Sequence, residues 1–119
     1  MSDLKIIAFE NCKDLGEKVD TYINEMTKKK GSSLVNVKAS RFNNGEGKLY
    51  IEESIRDKDL YILSDVGNYS ITYDFHGTIH HMAPDEHYQD IKRVICAANG
   101  KFQKVNVIMP LLYESRQHR

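Results

Sequence analysis

Hydrophobic and polar positions along this chain fall into a strand–helix–strand rhythm. Residues 4–9, Leu-Lys-Ile-Ile-Ala-Phe, are a compact apolar run that predicts a first strand. Leu15, Val19, Tyr22, Ile23 and Met26 then recur at helical spacing and make one apolar stripe. Asn11 is placed to cap that helix, and Asp14 sits near the positive end of its dipole. Lys28, Lys29 and Lys30 complement the opposite end, and Gly31 is a natural residue just past it. Leu34, Val35 and Val37 supply a second strand, so residues 4–37 read as strand, helix, strand. A short crossover of this kind gives parallel strands with a right-handed connection.

The pattern then changes period. Asn43-Asn44-Gly45 gathers residue types that form Asx-turns or accept positive φ, so the backbone is expected to reverse there. Leu49 and Ile51 alternate with Tyr50 and Glu52, the mark of a half-buried strand. Arg56-Asp57-Lys58-Asp59 reads as a solvated turn, and Leu60-Tyr61-Ile62-Leu63 as a buried strand. Residues 64–83 are the least regular, punctuated by Gly67, Asn68, Ser70 and Gly77, and read as a long loop. Pro84 suits the first position of a second helix, with Asp85 and Glu86 in its first turn. Tyr88, Ile91, Val94, Ile95 and Ala98 form its apolar stripe, and Gly100 closes it. Val105, Val107 and Ile108 read as a strand buried on both faces. The whole predicts an α/β domain over residues 1–119, three-layered, with a mostly parallel sheet and helices on both faces.

Composition narrows the function. A chain of 119 residues supports one core, and 17 basic side chains balance 17 acidic ones. That balance supplies no global field for nucleic acid or an anionic membrane, so any phosphate recognition must be local. No apolar run reaches membrane-spanning length, and the first residues lack a secretory apolar core. Cys12 and Cys96 are not in a Cys-x-x-Cys pair and read as reduced thiols of a soluble cytoplasmic protein.

Candidate chemistry is sparse. Gly45-Glu46-Gly47-Lys48 has the wrong spacing for a phosphate-binding P-loop, and no Ser or Thr follows the lysine. The chain carries neither a nucleophile elbow nor a Gly-x-Gly-x-x-Gly turn, and no side chain is assigned as catalytic. His76, His80 and His81, with Asp74 and His87, raise a metal hypothesis because imidazole suits zinc-like ions. Gly77 and Thr78 argue against the helical spacing that would bring His76 and His80 together, so the expectation is an exposed histidine-rich loop without a metal. Lys28, Lys29 and Lys30 are a solvated helix end or, alternatively, a phosphate patch. Glu52 and Glu53 are strand neighbours that point to opposite faces and do not form an acid/base pair.

Two motifs carry a resemblance. Arg41-Phe42-Asn43-Asn44-Gly45-Glu46, followed by Ile51-Glu52-Glu53-Ser54-Ile55-Arg56-Asp57-Lys58-Asp59, resembles the signature near the start of the ribose-phosphate pyrophosphokinases. Ile108-Met109-Pro110 and then Ser115-Arg116-Gln117-His118-Arg119 is similar to that family's strand, proline and Arg-Gln-Asp-Arg run. The resemblance covers most of the chain. It implies a phosphoribosyltransferase-like N-terminal domain, truncated here. The implied reaction transfers the diphosphoryl group of ATP to ribose 5-phosphate, with Mg2+ accompanying ATP. By the same resemblance, Arg116 and Gln117 contact ATP. Phe42, Asn44 and Glu46 reach the adenine of a neighbouring subunit, so a homo-oligomer is expected.

The chain departs from the family pattern in three places. Asn44 replaces the usual Asp, His118 replaces the Asp of the second motif, and residues 64–83 are longer than the family's connection. For the first motif a plain hairpin turn with Phe42 in the core remains the other reading. The family's remaining catalytic elements have no counterpart in 1–119, so the chain alone is expected to be inactive. Two alternatives stand beside this one: a non-catalytic regulatory or assembly homologue, and a small metal- or nucleotide-binding domain using His76, His80 and His81.

Overall fold

The computed structural model of the protein describes residues 4–28, 31–42, 44–98 and 100–110. The first strand, β1 (Leu4–Ala8), passes through a 3-10 turn (Glu10–Cys12) into helix α1 (Lys13–Thr27). A hairpin follows, β2 (Val37–Arg41) and β3 (Gly47–Ile51), and then strand β4 (Asp59–Leu63). A second hairpin, β5 (Thr72–Phe75) and β6 (Thr78–His81), precedes helix α2 (Pro84–Ala98) and strand β7 (Lys104–Ile108).

The main sheet has the order β1-β4-β7 and is parallel throughout, with Ile6 opposite Tyr61 and Ile62 opposite Val107. Strand alternation sends neighbouring residues of β1 to opposite faces. Ile7 joins Leu60, Ile62, Ile91, Val94 and Ala98 in a core beneath α2. Ile6 and Leu63 instead pack with Cys12, Val19 and Ile23 beneath α1. Helices therefore cover both faces, and the chain is an α/β three-layer domain. Ile62 and Val94 are fully buried, as a central strand and its covering helix require.

The expected second strand is divided. Leu34 makes only an isolated parallel bridge to Ile6, through Ile6 N–H to Ser33 O and Val35 N–H to Ile6 O, both 2.8 Å. Val37 already belongs to an antiparallel hairpin, in which it faces Ile51. The apolar residues Leu34, Val35 and Val37 thus serve two sheets, which composition alone does not separate. Helix α1 is also rotated from its expected stripe. Val19 and Ile23 face the sheet, whereas Tyr22 and Met26 are exposed. Asp20 is buried instead, accepting bonds from Ser32 Oγ at 2.8 Å and Ser33 N–H at 2.7 Å. The left-handed residue that ends α1 is Lys28, with φ 54°, ahead of Gly31.

Strand β7 is not buried on both faces. It lies at the sheet's edge, and Val107 and Ile108 are 38% and 45% exposed. The irregular segment 64–83 contains the β5–β6 hairpin, closed by His76 and Gly77, both at positive φ. That is the signature of a two-residue hairpin turn rather than a structureless loop. Among the described residues, no helix is long and apolar enough to cross a membrane.

Both cysteines are free, Cys12 buried and Cys96 exposed. Burial raises the Cys12 thiol pKa, and the charge of Asp65 adds to the effect. Since the thiolate is the reactive form, the folded protein should take up about one equivalent of thiol reagent, at Cys96, and a second on unfolding. Labelling followed by peptide mapping checks this, and early modification of Cys12 would contradict it.

Candidate functional site

The β2–β3 turn is built by local chemistry. Phe42 N–H donates to Glu46 O at 2.8 Å, Gly45 N–H donates to Phe42 O at 2.8 Å, and Glu46 N–H donates to Asn44 Oδ1 at 3.0 Å. The last bond is an Asx-turn, which fixes the Asn44 side chain to its own backbone. Gly45 has φ +91°. Gly45→Ala should therefore cost about 1–2 kcal/mol of stability from backbone strain, read by denaturant unfolding.

A buried ionic group anchors the base of this turn. The Arg41 guanidinium lies 3.4 Å from Asp90 on α2, and the two side chains are 8% and 9% exposed. Asp90 also accepts from Arg93 at 2.6 Å. The Arg93 guanidinium lies against Gly47, where a Cβ would stand 2.5 Å from it. Arg41 additionally donates to Gly45 O at 3.4 Å. One carboxylate thus holds both arms of the hairpin through the arginines that touch them. A buried cation, Arg41, and a half-buried one, Arg93, share one anion and form a network whose members depend on each other.

A second buried node lies at the carboxyl ends of β1 and β4, where open parallel sheets collect ligands. Asn11 does not cap α1, whose first residue is preceded by Cys12 and has no side-chain cap. Its Oδ1 accepts from Asp65 N–H at 3.0 Å, and its Nδ2 donates to Ser64 Oγ at 3.2 Å and to His87 Nδ1 at 2.9 Å. His87 Nε2 reaches Asn68 O at 2.8 Å, and the ring is 2% exposed. Asp65 N–H can only donate and Asn68 O can only accept. This fixes the Asn11 amide orientation and places the His87 proton on Nε2. Both imidazole nitrogens are partnered here, so the ring is a structural tie rather than a free ligand.

Between these nodes lies a cleft of ≈ 270 Å³, bordered by Asn11, Arg41, Tyr73, His87 and Asp90. Tyr73 lies under the Arg41 guanidinium, 5.2 Å from ring centroid to Cζ. A hydrogen bond to Glu86 raises the Tyr73 pKa, with smaller contributions from burial and from the Glu86 charge, and Arg41 opposes the shift. The hairpin histidines separate rather than converge. His81 stacks on Tyr69 at 4.6 Å, and His80 approaches Tyr73 and Phe75 at 5.9 and 5.3 Å. Among the described residues, no three His, Cys, Asp or Glu side chains come together to hold a metal ion.

Of the residues singled out in the sequence, Phe42, Asn44 and Glu46 share the β2–β3 turn and are all exposed. Phe42 is 54% exposed and does not enter the core, so the plain-hairpin reading with a buried Phe42 is set aside. Arg116, Gln117 and His118 lie outside the described residues. Arg41, Asp90, Arg93 and Asn11 form a supporting frame that no local sequence pattern signals. His87 carried a usable signal, because it falls four residues before Ile91 on the same stripe as Val94 and Ala98.

The family model described as the N-terminal domain of ribose phosphate pyrophosphokinase matches residues 4–119. No curated protein matches the chain.

Proposed function

For a chain that belongs to the family of ribose phosphate pyrophosphokinase N-terminal domains, we propose a role in ribose-phosphate diphosphokinase activity by the complete protein. In this reaction the C1 hydroxyl oxygen of ribose 5-phosphate bonds to the β-phosphorus of ATP. The bond from that phosphorus to the oxygen bridging to the α-phosphate breaks, AMP leaves, and the hydroxyl proton is released. The chain's part is nucleotide binding. Phe42 stacks on adenine, and Asn44 and Glu46 hydrogen-bond its polar edge, in the site of a neighbouring copy of the chain. Arg116 supplies a planar fork of donors to ATP oxygens, and Gln117 a second polar contact.

The observation that carries this reading is the exposed Phe42 on a turn whose base is clamped by a buried Arg41–Asp90 pair. An exposed aromatic held rigidly is costly to leave in water and effective as a stacking surface. Magnesium enters with ATP as part of the substrate. The carboxylate of Asp90 is occupied by its arginines, and Asp74 Oδ1 by Gly77 N–H at 2.7 Å. Phosphoryl transfer depends on positioning and charge neutralisation, so binding residues of this kind are expected to matter strongly. Soluble nucleotide and sugar-phosphate substrates fit a cytoplasmic setting.

The test is AMP formation from ATP, magnesium and ribose 5-phosphate by the product of the complete reading frame. Formation that requires ribose 5-phosphate and falls about a hundredfold in Phe42→Ala supports the reading. ATP binding without turnover would instead favour a non-catalytic assembly subunit of the same family. Asn44 is the observation behind that second reading, because its Oδ1 is committed to Glu46 N–H and it lacks the usual Asp charge.

A further inference from the structure

We propose that the β5–β6 hairpin is a positioning element that holds the β2–β3 turn in its nucleotide-contacting geometry. The inference rests on the reading of Phe42, Asn44 and Glu46 as nucleotide contacts.

The turn's internal hydrogen bonds fix its shape but not its direction relative to the domain. A two-stranded hairpin is marginal by itself and takes its orientation from what packs against it. At the base, Arg41 is tied to α2 through Asp90. At the tip the contact comes from β5. The Phe75 ring lies against Gly45, so close that a Cβ on Gly45 would stand 3.1 Å from it. Two residues back on the same face, Tyr73 lies under the Arg41 guanidinium. The two rings thus touch the turn at its base and at its tip, spaced by one strand repeat.

The hairpin is itself braced. Tyr73 pairs with His80 across the ladder, and Phe75 meets His76 and His80 edge-on at 4.7 and 5.3 Å. A side chain that contacts adenine gains affinity when its bound geometry is already formed, because less ordering remains to be done on binding. Phe75 and Tyr73 are therefore positioning residues, acting through Gly45 and Arg41. Ile79 is on the opposite face of the hairpin, 73% exposed, and has no part in this.

The experiment compares Phe75→Ala, Phe75→Leu, Ile79→Ala and Phe42→Ala in the complete protein. It measures KM for ATP, KM for ribose 5-phosphate, kcat, and amide hydrogen exchange at Gly45 and Glu46. Phe75→Ala should raise KM for ATP about tenfold and speed exchange at both amides about tenfold. Its kcat and its KM for ribose 5-phosphate should stay within about twofold. Phe75→Leu should restore most of the loss, and Ile79→Ala should match the parent. Unchanged exchange in Phe75→Ala would overturn the inference. So would faster exchange without a rise in KM, if Phe42→Ala does raise it. If Phe42→Ala leaves KM for ATP unaltered, the nucleotide reading of the turn fails, and this inference fails with it. That failure is distinguished from the other two by the Phe42 variant alone.

Discussion

Asp90→Ala is expected to cost about 3–5 kcal/mol of folding stability, because it strands a buried cation. Arg41 is 8% exposed and is held against Asp90 of α2, so its charge has little access to water. Once the carboxylate is gone, its remaining partners among the described residues are Gly45 O at 3.4 Å and the face of Tyr73. Arg93 is 25% exposed and can turn outward, so the loss falls mainly on Arg41. Urea unfolding reads the effect, and a loss below about 1 kcal/mol would show that the pair is effectively solvated. The double variant Arg41→Met, Asp90→Leu should recover much of the stability, since an apolar pair replaces a desolvated ionic one. Lys38 and Glu52 supply the contrast. Lys38 is 78% exposed, and breaking its 3.4 Å pair through Glu52→Gln should change stability by no more than about 0.5 kcal/mol.

His87→Ala should cost about 2–4 kcal/mol, combining a cavity with two lost hydrogen bonds. The ring is 2% exposed and spans from Asn11 Nδ2 to Asn68 O. Removing it leaves the Asn68 carbonyl unpaired and the Asn11 amide with Ser64 as its remaining acceptor. The segment after β4 should then loosen, seen as faster exchange at Asp65 N–H, whose acceptor is Asn11 Oδ1. Stability within about 0.5 kcal/mol of the parent would mean that the Asn11–His87 tie contributes little.

These two positions also mark where the sequence stops being legible. The two helices, the β1 and β4 strands and the turn at Asn44-Gly45 follow from local patterns: apolar spacing, charge at helix ends and turn chemistry. Asn11 looks like a cap by the same local logic. Its partners, Ser64, Asp65 and His87, lie 53 to 76 residues away, and no local pattern reports them. Asp90 was hidden because helix stripes are read from apolar residues, whereas here a carboxylate beside Ile91 is buried by two arginines. The β5–β6 hairpin was readable in the alternation of Tyr73 and Phe75 around a His-Gly turn. Its histidines drew attention to metal chemistry instead. Strand β7 shows the opposite limit, since Val107 and Ile108 are apolar enough for a buried strand yet lie on an edge. Periodicity gives the face of a strand, not its position in a sheet.

The proposed action of the β2–β3 turn on a neighbouring copy's nucleotide is most directly tested by subunit mixing. Phe42→Ala and Arg116→Ala proteins are assayed separately, and again after they are dissociated and reassembled together, for ribose 5-phosphate-dependent AMP formation. Each variant alone should keep only about a hundredth of wild-type activity. In a mixed pair, an Arg116→Ala subunit lends its intact Phe42 turn to the intact Arg116 site of a Phe42→Ala subunit. Random pairing should then restore roughly a quarter of wild-type activity. Two results would contradict the account: a Phe42→Ala protein as active as wild type, or no recovery from mixed subunits that demonstrably co-assemble.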